Sequence, residues 1–323
     1  MINEIYKNIF KIEIPLPDNP LRELHCYVIK SENRNLIIDT GFNTEECKRV
    51  LYNGLEEIGA KLNKTDLFVT HLHSDHCGLA KELSNKGSIV YTGKTDGELI
   101  NLMCSNSYWD KYRDFIKLYD LEKDKVLIEN HPGFKFCPKE PVDFITLTEG
   151  DVIAVGEYSL EVIDIPGHTP GHAGLYERKH KLFFCGDHIL GKITPNISFW
   201  GFEQDILQVF FNSLNKVYDF EIDHLFTAHR DTVPNHKKRI NELLEHHQER
   251  LKEITRIIQD EKKSVRDIAS SMHWSVKGKS WVDFPDAQKC FASGETMSHL
   301  EHLYCTGKAE RTLENGILYY KGI

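Results

Sequence analysis

The sequence predicts a mixed α/β fold with its chemistry on loops that follow buried strands, and a helical C-terminal part. Three observations predict it. Short β-branched runs alternate with helix-spaced segments from about residue 5 to residue 235. Four of these runs end in loops rich in histidine and aspartate. From Lys237 onward, three helical segments are followed by a hairpin.

The elements can be justified in order. "IYKNIFKIEI" alternates apolar and polar positions, as a half-buried strand does, and "HCYVIK" and "NLIIDTG" are further short strands. "TEECKRVLYNGLEEIGA" has helical apolar spacing, with Thr44 as its N-cap. "DLFVT" is a buried strand, "GLAKELSNKG" a helix stopped by Gly87, and "SIVYTG" a strand. Residues 95–136 form a helical, aromatic insertion with Tyr108, Trp109, Tyr112, Phe115 and Tyr119. These rings either pack on the body or form a lid that contacts an apolar substrate group. Strands return in "FITLTEGDVIAVGEYSLEVIDIPGH", "GLYERKHKLFFCGDHIL" and "HLFTAHR", with the amphipathic helix "QDILQVFFNSLNKVYDF" before the last. A long helix then puts Ile240, Leu243, Leu244, His247, Leu251, Ile254, Ile257 and Ile258 on one stripe. The final "KAERTLENGILYYKG" is a hairpin turning at Asn315-Gly316. Two domains are expected: a catalytic body over 1–236 and a winged-helix-like part over 237–323.

Bulk composition narrows the function. The chain has 323 residues and a net charge of −9, which argues against a protein that coats nucleic acid or an anionic membrane. Residues 237–323 carry 15 Lys+Arg against 13 Asp+Glu, and the rest carries 25 against 36. The body is thus acidic, with no basic track between residues 70 and 230. The N-terminus lacks the pattern of a signal peptide, and no apolar run approaches the ~18 residues of a membrane span. Eight scattered cysteines without a CxxC pair read as reduced thiols. The expected location is therefore the cytoplasm.

"THLHSDHCG", residues 70–78, places His71, His73, Asp75 and His76 within six positions. Histidines this dense are costly to satisfy except with metal or acids. His71 and His73 can face one ion, and Asp75 and His76 a second beside it. Three further loops answer: "DIPGHTPGHAG" with His168 and His172, "FFCGDHIL" with Asp187 and His188, and "LFTAHRD" with His229. Each follows an apolar strand, so all can converge on one edge of a sheet sandwich. Cys77 and Cys185 sit beside ligands and read as small packing residues.

"THLHSDH", "PGHTPGH", "CGDH" and "TAHRD", in this order, resemble the metallo-β-lactamase fold superfamily of hydrolases over roughly residues 5–235. The resemblance implies an α+β four-layer αββα sandwich. It implies two divalent metal ions, with zinc expected first and iron or manganese compatible with the same donors. His71, His73 and His168 match the first metal site. Asp75, His76 and His229 match the second, and Asp187 the bridging carboxylate. Asp75 and Asp187 are the expected catalytic carboxylates, and His172 and His188 would support the ligands from behind. His188 could instead protonate a leaving group. Where the family usually has glycine before the last histidine, this chain has Ala228. The C-terminal segment is similar to the winged-helix appendage of some relatives, including an endoribonuclease-like branch.

The leading expectation is a hydrolase of a small-molecule thioester, lactone or ester, with Tyr108, Trp109, Phe199 and Trp200 as candidate substrate contacts. The alternatives are a nuclease or phosphodiesterase acting on single-stranded RNA, nucleic acid then binding through the C-terminal part, and a mono-iron enzyme resembling persulfide dioxygenases. A diiron redox enzyme is disfavoured, since that group usually has Glu where His73 stands. A binding module without catalysis would be expected to have lost ligands, and none is lost. A homodimer is a further expectation.

Overall fold

A computed structural model describes residues 2–275 and 280–323. One sheet has seven strands in sequence order: β1 (Ile2–Tyr6), β2 (Ile9–Pro15), β3 (Glu23–Ile29), β4 (Asn35–Ile38), β5 (Thr65–Val69), β6 (Val90–Gly93) and β7 (Phe144–Leu147). Neighbours are antiparallel from β1 to β4 and parallel from β4 to β7. The second sheet contains β8 (Val152–Val155), β9 (Tyr158–Asp164), β10 (Ala173–Glu177), β11 (Leu182–Gly186) and β12 (His224–Thr227), in the order β12-β11-β10-β9-β8. Its one parallel pair is β11 with β12.

Both sheets are covered on both faces, and the period of two along each strand shows how. Leu36 and Ile38 of β4 face the layer between the sheets, with Tyr27, Phe68, Leu160, Val162, Leu175 and Phe184. Ile37, between them, faces the opposite way into a second apolar layer with Leu51, Leu55, Leu83 and Ile100. That layer seats α1 (Glu45–Glu57), α3 (Ala80–Asn85) and α4 (Lys94–Met103) on the first sheet. Between α1 and α3 in sequence lies the short α2 (Ser74–Cys77). Thr44 caps α1 by accepting from the Cys47 N–H, as its position predicted. The second sheet behaves alike: Leu182 and Phe184 point between the sheets, while Phe183 points outward. The expected four-layer sandwich is therefore present.

The insertion continues from α4 through α5 (Asn106–Leu118) and two short turns to α6 (Pro132–Phe136). Its Trp109 is only 4% exposed, and its indole N–H donates to the Met103 carbonyl at 2.8 Å. A ring so enclosed belongs to the packing of the insertion against the first sheet.

The outer layer of the second sheet is built by α7 (Ile206–Tyr218), α8 (His236–Ile257), α9 (Val265–Ser271) and α10 (Asp286–Cys305). A three-stranded sheet, β13 (Lys263–Ser264), β14 (Ala309–Glu314) and β15 (Ile317–Gly322), closes this end in the order β13-β15-β14. Asn315 and Gly316 both take positive φ, 51° and 82°, at the predicted β14–β15 turn. Helix, short strand, helix, helix and hairpin is the order of a winged helix. Phe183 and Phe210 of the body share one apolar cluster with Ile240, Leu300 and Tyr320 of this segment. Helix α10 is enclosed on all sides over most of its length, including Ala292, Gly294, Thr296 and His299.

Candidate metal centre

Every predicted ligand lies on a segment that follows the C-terminal end of a strand. His71 and His73 follow β5, and the loop with His168 follows β9. Asp187 follows β11 directly, and His229 follows β12. Helix α2 starts at its N-cap His73, so Asp75 and His76 lie in its single turn. Gly186, at φ +51°, allows the chain to turn into Asp187, where a Cβ would stand 2.8 Å from both His172 Nε2 and Thr70 Oγ1.

The side chains converge. Donor atoms of His71, His73 and His168 lie within 4.8 Å of one another, as do those of His71, His76 and Asp187, and those of Asp75, His76 and His229. His71 Nε2 is 3.1 Å from His73 Nδ1. His168 Nε2 is 3.5 Å from one Asp187 oxygen, while His76 Nε2 and His229 Nε2 are 3.6 and 3.4 Å from the other. His229 Nε2 is also 3.3 Å from Asp75 Oδ2. Ligands about 2.1 Å from one tetrahedral ion stand about 3.4 Å apart. The spacing is thus that of donors sharing ions.

Their hydrogen bonding supports the same fit. His76 Nε2, His168 Nε2, His229 Nε2 and Asp187 Oδ1 are buried without a hydrogen-bond partner. Leaving such atoms unsatisfied costs about 1–3 kcal/mol each, and a cation among them removes that cost. Four of the five rings engage their outward nitrogen. His168 Nδ1 meets the Asn196 carbonyl and His229 Nδ1 the Glu23 carbonyl, both at 2.7 Å. His76 Nδ1 meets Asp39 at 2.8 Å, and His71 Nδ1 meets Thr70 Oγ1 at 3.0 Å. A ring that donates from Nδ1 presents the Nε2 lone pair inward.

Electrostatics follow from burial and crowding. Burial, reinforced by neighbouring histidines, pushes His71 well below the usual imidazole range and His73 down to about 3. Burial raises the carboxyls, but His76 and His229 more than offset it, holding Asp75 at about 2 and Asp187 well below the ordinary carboxylate range. Against burial, the same carboxylates push His76 and His229 up, so these two rings would have to give up a proton to bind an ion, whereas His71, His73 and the carboxylates already stand in their ligating forms.

Sequence reasoning missed three supports. Asp39, just after β4, accepts from the Thr70 N–H, the Thr70 hydroxyl and His76. Asp96, wholly buried in α4, accepts from Leu72 N–H, Thr169 Oγ1 and Gly171 N–H, joining the first histidine loop to the His168 loop. Asn196 fixes His168. The only available signal was an aspartate closing "NLIIDTG" and another opening α4.

The other expected residues fall into two groups. His172 stacks on His71 with ring centroids 4.7 Å apart, and its Nε2 accepts from the Asp187 N–H. His188 is fully buried between Phe210 and His172, behind the ligands. Trp200 lies beside the centre, its ring 6.4 Å from that of His73. Phe199 is buried against Phe115 and Phe202, while Tyr108 edges onto Trp109. Ala228 fits the final loop, its carbonyl accepting from the His25 N–H at 2.7 Å.

Residues 21–234 match the Metallo-beta-lactamase superfamily. The chain belongs to that superfamily of hydrolases. Its fold is shared along its whole length by a metallo-beta-lactamase family protein from Thermus thermophilus, with a TM-score of 0.81, 23% identity, and coverage of 99% of this chain and 100% of that one. Hydroxyacylglutathione hydrolase GloC of Haemophilus influenzae is 28% identical over 170 residues, 50% of this chain and 65% of the relative. Acyl-coenzyme A thioesterase MBLAC2 of Gallus gallus is 29% identical over 169 residues, 50% of this chain and 56% of the relative. Among the described residues no helix is long and apolar enough to cross a membrane.

Proposed function

We propose that this chain is a binuclear metal-dependent hydrolase of small-molecule thioesters, with lactones and simple esters as related substrates. The observation that carries the metal reading is the convergence of the His71, His73 and His168 donors with those of Asp75, His76, Asp187 and His229. The substrate class is supported by the names of two relatives, one a hydroxyacylglutathione hydrolase and the other an acyl-coenzyme A thioesterase. His71, His73 and His168 would hold one ion, Asp75, His76 and His229 the other, and Asp187 both. Zinc is the proposed metal, on the chemistry of an imidazole and carboxylate set. When bound, the ions supply a water acidified toward neutrality and positive charge facing the scissile carbonyl.

The chain's own residues do the rest. Asp75 sits between His76 and His229, where its ionised carboxylate would help hold the second ion and can accept a hydrogen bond that orients the attacking water. His76 is locked by Asp39, so its ring cannot rotate out as charge builds in the site. Trp200, half-buried beside His73, is the proposed apolar contact for an acyl group. The enclosed helix α10 presents no open face to a nucleic-acid groove, and this favours a small-molecule substrate over RNA. All eight cysteines are free thiols, which supports a reducing compartment such as the cytoplasm.

The test is thiol release from a panel of acyl-CoA and hydroxyacyl-glutathione thioesters by metal-loaded protein, with His73→Ala as control. Turnover lost in the control is the expected result. Inactivity on every thioester, with cleavage of single-stranded RNA, would overturn the reading.

A further inference from the structure

We propose that Glu295 of the C-terminal helix α10 is a positioning residue for the metal ligand His168, acting through Asn196. This rests on the metal reading above and assigns the C-terminal segment a part in the centre.

His168 takes its orientation from one bond, Nδ1 to the backbone carbonyl of Asn196, at 2.7 Å. The loop that carries this carbonyl, residues 193–200, has no regular secondary structure of its own. Arg239 of α8 donates to the Ile193 carbonyl at 3.0 Å at one end of the loop, and the part around Asn196 is held by α10. Asn196 Nδ2 donates to Glu295 Oε2 at 2.8 Å and to the Phe291 carbonyl at 3.2 Å. The Phe199 N–H donates to the Gly294 carbonyl at 3.2 Å. A Cβ at Gly294 would crowd the Ser198 hydroxyl, at 3.1 Å. The Ser198 hydroxyl in turn donates to Asn196 Oδ1 at 2.6 Å, completing the amide's orientation.

Glu295 is otherwise an expensive residue. It is 6% exposed in the middle of a helix that is enclosed all round. Its nearest cation, Arg250 Nε of α8, is 3.8 Å from Oε1, beyond a hydrogen bond. Burying a carboxyl for so weak an ion pair costs more than it returns. What the carboxyl secures is the side-chain amide of Asn196, and with it the carbonyl that holds His168. The neighbouring Trp200, beside His73, is carried by the same loop. One helix outside the sandwich thereby fixes the loop that orients His168 and carries Trp200.

A test follows with intact protein. Zinc affinity is measured by competition with a chromophoric chelator, and cobalt(II) absorption reports ligand geometry, for wild type, Glu295→Gln, Glu295→Ala and Asn196→Ala. Urea unfolding of each metal-free protein is run alongside. Glu295→Ala and Asn196→Ala are expected to weaken one of two sites by about 10–100-fold and change its cobalt spectrum. Glu295→Gln, which keeps an acceptor oxygen, is expected to stay within about threefold of wild type, as a positioning role requires. If Glu295→Ala does not fold, Asn196→Ala decides, because it leaves α10 unaltered. Unchanged affinity and spectrum in a folded Ala variant overturn the proposal, as does equal weakening by Gln and Ala. Wild type that binds no metal overturns the metal reading itself, and this inference with it.

Discussion

Asp96→Asn is a sharp test of how the two halves of the centre are held together. The Asp96 carboxylate receives three donors: Leu72 N–H at 2.8 Å and Thr169 Oγ1 at 2.6 Å on one oxygen, and Gly171 N–H at 2.7 Å on the other. An asparagine offers a single acceptor oxygen, and its NH₂ turns a donor toward a donor. At least one backbone N–H is left buried and unpaired, at about 1–3 kcal/mol, and the bonds that survive lose their charge assistance at about 1 kcal/mol each. The sum is about 3–5 kcal/mol, offset in part because burial already pushes Asp96 up to about 6 and the neutral amide escapes that penalty. Urea unfolding of metal-free wild type and variant measures this without the contribution of bound metal. Zinc affinity should fall with it by about tenfold, since Leu72 lies between His71 and His73. A loss below about 0.5 kcal/mol would refute the three-donor account.

Other outcomes follow from the same structure. Asp187→Asn should abolish turnover and lower bound metal while leaving the far-UV circular dichroism unchanged; full activity would remove the bridging role. Trp109→Ala, which empties a buried ring and orphans the Met103 carbonyl, should cost about 3–5 kcal/mol of stability, whereas Trp200→Ala should act mainly on KM for bulky acyl groups. Burial pushes Glu295 up to about 7, against the pull of Arg250 and Asn196. The folded state therefore holds this proton more tightly than the unfolded chain, whose glutamate titrates near 4.5. Stability from this group is full below pH 4.5 and falls as pH rises toward 7, by about 3 kcal/mol. Wild type should lose stability relative to Glu295→Gln across that window, in metal-free urea unfolding; a difference independent of pH would contradict it.

The candidate ligands were legible because of their chemistry. His71, His73, Asp75 and His76 are too polar to crowd into a buried loop without a cation, so their spacing alone exposes them. The β14–β15 turn was legible because Asn-Gly suits two positive φ angles. The stripe from Ile240 to Ile258 was legible because helical periodicity survives without context. Asp39, Asp96 and Asn196 were not. Each supports a ligand loop from a distant part of the chain, as Asn196 does for His168, and a lone polar residue carries no period or spacing. The aromatic insertion was only half legible: composition showed rings, but whether Trp109 faced a substrate or the core depended on one bond to Met103. The shared cluster of Phe210 with Leu300 and Tyr320 was also hidden, since helix α10 lacks an apolar stripe and buries small, polar and apolar residues alike.

The most direct measurement is metal stoichiometry: equilibrium dialysis of the purified protein against zinc, followed by elemental analysis. Two ions per chain in wild type, reduced in Asp187→Asn, is the predicted result. One ion or none in folded wild-type protein would contradict the binuclear centre on which the proposed hydrolysis depends.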